Sequence, residues 1–248
     1  MQIQIKNFVK RIFNRLGFEI CRLSKDTDLL AYSIVRACTT YAPWRKDILF
    51  QNIYKTIQPY TLVDQNRCYE LWQLTEQSLK LVSGNIIEIG VWRGGTGALI
   101  AKRAKENGSS DEVYLCDTFA GVVKAGARDS SYKGGEHSDT SRQLVERLIS
   151  GMGLNNVKLL EGIFPDQTGC EIQQLRFRFC HIDVDVYQSA HDIMEWIWGR
   201  MVHGGIVVFD DYGSPTCDGI TTYVNEQIQC KDRIFISNLN GHAVIIKL

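Results

Sequence analysis

The chain has no excess of charge: 28 Lys and Arg balance 28 Asp and Glu over 248 residues. A general nucleic-acid binder needs a basic surface to neutralise phosphates, so that class is set aside. No apolar run approaches the roughly 18 residues of a membrane span, and the N-terminus has no signal-peptide core. Together these predict a cytoplasmic protein without a transmembrane segment. The eight cysteines contain no C-x-x-C pair. Cys116 and Cys180 fall in apolar, strand-like runs, so the cysteines read as buried thiols of a reducing compartment. His137, His181, His191, His203 and His242 are scattered without zinc-ligand spacing. The dinucleotide fingerprint G-x-G-x-x-G and the phosphate-loop signature G-K-[ST] are also missing, which counts against a Rossmann oxidoreductase.

The stretch Glu88-Ile-Gly-Val-Trp-Arg-Gly-Gly-Thr-Gly97 follows the apolar run 85–89 and opens into Ala98-Leu99-Ile100-Ala101. It reads as strand, glycine turn and helix N-terminus. Gly90, Gly94 and Gly95 carry no Cβ and tolerate positive φ, so a ligand could lie against bare backbone there. A purely structural glycine turn is the alternative. The spacing E-x-G-x-x-x-G resembles the first motif of Rossmann-like S-adenosylmethionine-dependent methyltransferases, whose ligand has an amino acid end and no phosphate.

Apolar periodicity predicts the remaining elements. Leu71, Thr75, Leu79 and Val82 mark a helix leading into the first strand. Strands follow at 113–117, 157–160, 177–182 and 206–209. Helices hold Leu144 to Met152, Ala190 to Met201, and Ile220 to Ile228, and two final strands, 233–237 and 242–247, join through Asn240-Gly241. This alternation predicts an α/β fold, a mostly parallel sheet with helices on both faces and one antiparallel strand from the terminal hairpin. Residues 1–60 are expected to form an N-terminal helical cap and 61–248 the main domain. Within the cap, Phe8, Ile12 and Leu16 share a stripe of a basic amphipathic helix. An edge helix or oligomer contact is the preferred reading, and weak docking to a membrane surface the alternative.

Ligands of such sheets bind outside the carboxyl ends of the strands. Asp117 ends the second strand, where an acid can accept from ribose hydroxyls; a turn or capping aspartate is the ordinary reading. Gly162 and Ile163 follow the third strand and could frame an adenine. Asp183 and Asp185 follow the fourth strand, and Asp210 and Asp211 the fifth. Four carboxylates in one pocket would repel one another, and a hard divalent cation such as Mg²⁺ offsets that repulsion. Helix capping in water is the alternative for some of them.

Tyr60-Thr61 with Arg67, the segment 87–95, Asp117-Thr-Phe-Ala-Gly121, Glu161-Gly-Ile-Phe-Pro-Asp166, His181-Ile-Asp-Val-Asp-Val-Tyr-Gln-Ser189 and Asp210-Asp-Tyr-Gly213 occur in one order. Together they resemble the macrocin O-methyltransferase (TylF-type) family of metal-dependent sugar methyltransferases. The resemblance covers about residues 60 to 225. It implies a class I methyltransferase with a seven-stranded sheet, in which Thr61, Glu88, Gly90, Val91, Gly94, Asp117, Thr118, Gly162, Ile163 and Asp183 contact S-adenosylmethionine. It further implies that Asp183, Asp210 and Asp211 hold Mg²⁺, that Asp185 is the general base, and that the protein is a homo-oligomer. The acceptor is then a sugar hydroxyl of a glycosylated natural product or glycan precursor. A catechol or phenolic O-methyltransferase and a noncatalytic S-adenosylmethionine-binding module are the rivals. The aperiodic, glycine-containing stretch 122–141 is expected to be a lid, with Tyr132 and His137 either reaching the acceptor or serving as ordinary loop residues.

Overall fold

The structure, a computed structural model, describes residues 39–248 together with Phe13. The stripe of Phe8, Ile12 and Leu16 lies outside the described residues. Helix α1 (Ile48–Ile57) and α2 (Gln65–Ser78) precede β1 (Asn85–Ile89), α3 (Gly95–Glu106), β2 (Val113–Asp117), α4 (Arg142–Gly151) and β3 (Val157–Glu161). Then come β4 (Phe177–Ile182), α5 (Tyr187–Trp198), β5 (Met201–Phe209), α6 (Asp218–Gln227), β6 (Arg233–Ser237) and β7 (Ala243–Lys247). Among the described residues no helix is long and apolar enough to cross a membrane.

The seven strands form one sheet in the order β3-β2-β1-β4-β5-β7-β6, with β7 antiparallel to both neighbours. The α/β class, the parallel core and the single antiparallel strand are as the alternation of elements predicts. Chain order reverses between the paired strands β1 and β4, so the connections leaving their carboxyl ends run to opposite sides and leave a crevice there.

Side chains alternate across the sheet, and each face has its own core. Ile86, Leu115, Phe179 and Val208 face a cluster containing Phe50, Ile53 and Ile57 of α1, Leu71 and Trp72 of α2, and Leu99 of α3. Ile87, Ile89, Cys180, Val207 and Phe209 face Ile193, Met194 and Ile197 of α5 and Ile220 and Val224 of α6. Burial on both faces explains why the central strands are apolar without alternation.

Several boundaries differ from the periodic reading. Met201, expected in the helix before β5, is the first residue of β5. Val82 lies beyond α2 and is exposed, because α2 ends at Ser78. Strand β4 ends at Ile182, as expected, and Asp183 and Asp185 lie in the turn after it, Asp185 with φ 64°. The thiol expectation also needs correction. Cys68, Cys116, Cys180 and Cys217 are buried free thiols, but Cys170 is an exposed one on a short turn of helix.

Candidate active site

The ladder of the parallel sheet runs on past the strand ends, which levels them into one rim. Gly90 N–H donates to Cys116 O, Asp183 N–H to Ile89 O and Asp210 N–H to Ile182 O, each at 2.9 Å. Above the rim lies a cavity of about 280 Å³. Of the residues expected at the methyl donor, Thr61, Gly90, Val91, Asp117, Thr118, Gly162 and Asp183 line it. Asp185, Asp210 and Asp211 line the same cavity.

Glu88, Gly94 and Ile163 do not line it. Glu88 points inward from the middle of the sheet and is fully buried, with Oε1 2.8 Å from His181 Nδ1. The two residues are register partners on β1 and β4, so pairing them needs no special loop. Gly94, with φ 87°, caps the start of α3, and a Cβ there would lie 2.9 Å from Val145 Cγ1. Gly90 lines the cavity, yet its Cβ would strike the carbonyl oxygen of Asp183 at 1.7 Å. Its lack of a side chain therefore serves the contact between the β1 and β4 turns as well as the cavity wall.

Asp117 already accepts three backbone hydrogen bonds. Its Oδ2 accepts from Val91 N–H at 2.6 Å and Trp92 N–H at 2.7 Å, and Oδ1 accepts from Phe119 N–H at 2.7 Å. It thus braces the glycine turn from β2, while its position on the cavity wall leaves further lone-pair directions for a ligand hydroxyl.

The acids at β4 and β5 meet as the sequence suggests. Asp183, Asp210 and Asp211 each offer an oxygen within 4.8 Å of the others. Burial, then the charges of Asp210 and Asp211, push the Asp183 carboxyl well above the usual carboxylate range. Burial and the charges of Asp210 and Asp185 push Asp211 up to about 7. Three hard oxygen donors in mutual repulsion are a donor set that fits a divalent cation such as Mg²⁺.

Asp210 is the exception. Burial works against its charge, but the His242 imidazole and the Arg67 guanidinium outweigh burial and hold it well below the usual range. Arg67 Nη1 donates to Asp210 Oδ1 and, at 3.2 Å, to Asp211 Oδ1. His242 Nδ1 lies 2.7 Å from Glu70, and its Nε2 lies 3.3 Å from Asp210 Oδ1, an ion-pair contact rather than an aligned hydrogen bond. Burial lowers the His242 pKa, but Asp210 and Glu70 more than offset this and raise it to about 9.

The scattered histidines are therefore partly gathered by the fold: His181, His242 and Asp210 also bring ligand atoms within 4.8 Å. Asp210 Oδ1 already accepts from Arg67 and from the Asp211 N–H. Asp210, His242 and Glu70 form an ionic brace beside the cavity, with His242 as an imidazolium between the two carboxylates.

Residues 118–141 contain no helix or strand and supply Val122, Val123, Tyr132 and His137 to the cavity. The Tyr132 hydroxyl donates to Asp185 Oδ1 at 2.9 Å, and His137 Nε2 lies 3.4 Å from the same hydroxyl. Burial raises Asp185, and the Tyr132 hydrogen bond partly offsets it. Cys217, whose Sγ is 3.7 Å from Asp185 Oδ1, is pushed up to about 12 by burial and by Asp211 and Asp185, so it stays a thiol. Tyr132's seat on Asp185 could not be read from its position in an aperiodic loop. His242 could have been found only by combining the Asn-Gly turn with the strand register.

The family model of macrocin-O-methyltransferase (TylF) matches residues 53–243. A tetracenomycin-type 8-demethyl-8-(2,3-dimethoxy-alpha-L-rhamnosyl)-tetracenomycin-C 4'-O-methyltransferase from Streptomyces olivaceus is 28% identical over 57% of this chain and 58% of its own length. Mycinamicin III 3''-O-methyltransferase from Micromonospora griseorubida is 28% identical over 66% of this chain and 69% of its own. The solved O-methyltransferase NovP superposes with a TM-score of 0.65 at 23% identity, over 76% of this chain and 82% of that one, which speaks to the fold. The match over most of the chain, with the class I sheet and the acidic rim above it, makes this chain a member of the macrocin-O-methyltransferase (TylF) family, an enzyme of the O-methyltransferase class.

Proposed function

We propose that the protein transfers a methyl group from S-adenosylmethionine to a sugar hydroxyl of a glycosylated natural product or glycan precursor, with Mg²⁺ as the metal. The observation that carries this reading is one cavity shared by the β1 glycine turn, Asp117 and the carboxylates of Asp183, Asp185, Asp210 and Asp211. A binding module needs no such acid cluster, since repulsion among the acids is a standing cost. Two relatives named for methylating glycosylated natural products support a sugar acceptor. The balanced charge supports a small-molecule or glycan acceptor over nucleic acid. A cytoplasmic homo-oligomer, with residues 1–60 as its cap, remains part of the proposal.

In this reading Gly90, Val91, Thr61, Thr118 and Gly162 bind the methyl donor along the rim, and Asp117 accepts from its ribose. S-adenosylmethionine supplies an activated methyl group. Asp183, Asp210 and Asp211 hold the cation, which when bound supplies Lewis-acid polarisation of a neighbouring hydroxyl. Asp185 would accept the proton of the attacking acceptor hydroxyl as that hydroxyl's oxygen takes the methyl group. Tyr132 orients Asp185, and Val122, Val123 and Tyr132 keep water from the cavity.

Calorimetry with S-adenosylhomocysteine and NAD, followed by a methyl-transfer assay on vicinal-diol glycosides and catechols, tests the proposal. The expected result is binding of S-adenosylhomocysteine alone and turnover of glycosides, abolished by EDTA, restored by Mg²⁺ and lost in Asp183→Asn, Asp210→Asn and Asp211→Asn. NAD binding without S-adenosylhomocysteine binding would sink the methyl-donor assignment. Undiminished turnover in a verified metal-free sample would sink the metal.

A further inference from the structure

Arg67 stands in the first turn of α2, three residues after Asp64, the aspartate that caps it. Asp64 Oδ1 accepts from Asn66 N–H at 2.8 Å and Arg67 N–H at 3.3 Å, and Asp64 Oδ2 accepts from Arg67 Nε at 2.8 Å. The far end of the same guanidinium reaches across the cavity to Asp210 and Asp211. The Arg67 side chain is 15% exposed, whereas Asp64 is 51% exposed. One residue thus joins an outer, solvated carboxylate to two inner ones on the cavity wall.

The inner pair belongs, with Asp183, to the trio that fits a divalent cation. A guanidinium and a divalent cation on the same two carboxylates would repel each other in a partly desolvated site. The donors of Arg67 form a rigid fork, and its Nε already has the outer carboxylate as partner, so the side chain has somewhere to retreat. We propose that Arg67 is the resident counter-ion of the acid cluster: it holds Asp210 and Asp211 together before the cation binds, and it withdraws toward Asp64 when the cation takes them. The inference rests on the cation reading of Asp183, Asp210 and Asp211. It makes cation uptake an exchange of one positive group for another rather than the filling of an uncompensated acidic hole.

The test measures Mn²⁺ binding by electron paramagnetic resonance, Mg²⁺ binding by calorimetry and the melting temperature in EDTA. It compares the wild type with Arg67→Met and with Arg67→Gln, which retains hydrogen-bond donors without the charge. Competition predicts that both variants melt lower in EDTA and bind Mn²⁺ more tightly, by about tenfold or more, because a charge-assisted pair no longer has to be broken. Their melting temperatures should also rise further on adding Mg²⁺. Arg67→Lys keeps a charge but loses the fork and should fall between, which preserves the test if the neutral variants do not fold. Mn²⁺ binding in the wild type that is equal or weaker in the variants would overturn the counter-ion role alone. No Mn²⁺ binding by the wild type or any variant would overturn the cation reading, and this inference with it.

Discussion

Asp185 illustrates how much of the chemistry turns on one backbone angle. With φ 64° it sits in the left-handed region, which aspartate tolerates better than most residues, and this turns its carboxylate from the sheet toward Tyr132 and Cys217. A sugar hydroxyl is a poor nucleophile near neutral pH, so a carboxylate in hydrogen-bond reach contributes about 10² to 10⁴ in rate. Asp185→Asn keeps the shape and removes the basicity. Its kcat should fall by about that factor while S-adenosylhomocysteine and Mn²⁺ affinities stay near wild type, as steady-state kinetics and calorimetry can check. Loss of Mn²⁺ binding would make Asp185 a ligand, and a normal kcat would remove it from proton transfer.

Among the elements, the connection between β2 and α4 is ordered by side chains as well as by the backbone pairing of Val122 with Gly135 and Glu136. Asp129 is its anchor and is only 4% exposed. Oδ1 accepts from the Tyr187 N–H at 2.9 Å, capping α5 from outside because the preceding Val186 offers no side-chain acceptor, and Oδ2 accepts from the Gly126 N–H at 2.8 Å. The approach to α6 is equally close, since a Cβ on Gly219 would meet Asp129 Oδ1 at 1.9 Å. Asp129→Ala removes a helix cap and should cost about 0.5–2 kcal/mol in a denaturant melt. Because the same loop carries Tyr132, cleavage between residues 122 and 141 in limited proteolysis should speed up and the KM for the acceptor should rise. A stable variant with unchanged proteolysis and KM would show that the loop is held without Asp129.

On the scale of the whole molecule, one face of the sheet carries a buried layer of polar side chains beside the cavity. Glu88 of β1 pairs with His181 of β4, and Asp210 beyond β5 meets His242 just before β7, whose other side is held by Glu70 of α2. Helix α2 is thus tied to the start of the β7 segment by charge as well as to the sheet by Leu71 and Trp72. The His242 pKa is raised from 6.5 to about 9, so its contribution to stability is fully present below pH 6.5 and is lost as pH rises through about 9. In EDTA, the melting-temperature gap between wild type and His242→Gln should therefore be widest below pH 6.5 and narrow across that window. A constant gap from pH 6 to 10 would mean that His242 acts through packing, not charge.

Apolar periodicity, the Asn-Gly turn and the positions of acids just past apolar runs determined the sheet, its antiparallel strand and the rim at which Gly90, Asp117, Asp183 and Asp210 meet. Those signals are local, because alternation across a strand and the chemistry of a turn act over a few residues. Only the tertiary structure decided what each polar group faces. Glu88 stands two residues before Gly90, yet parallel register with β4 turns it onto His181 rather than into the cavity. Arg67 and His242 reach Asp210 from 143 and 32 residues away, and Tyr132 reaches Asp185 from an aperiodic loop. Charges and hydrogen bonds act through space, so their partners are set by strand order and by the packing of α2 on the sheet, which no spacing along the chain records.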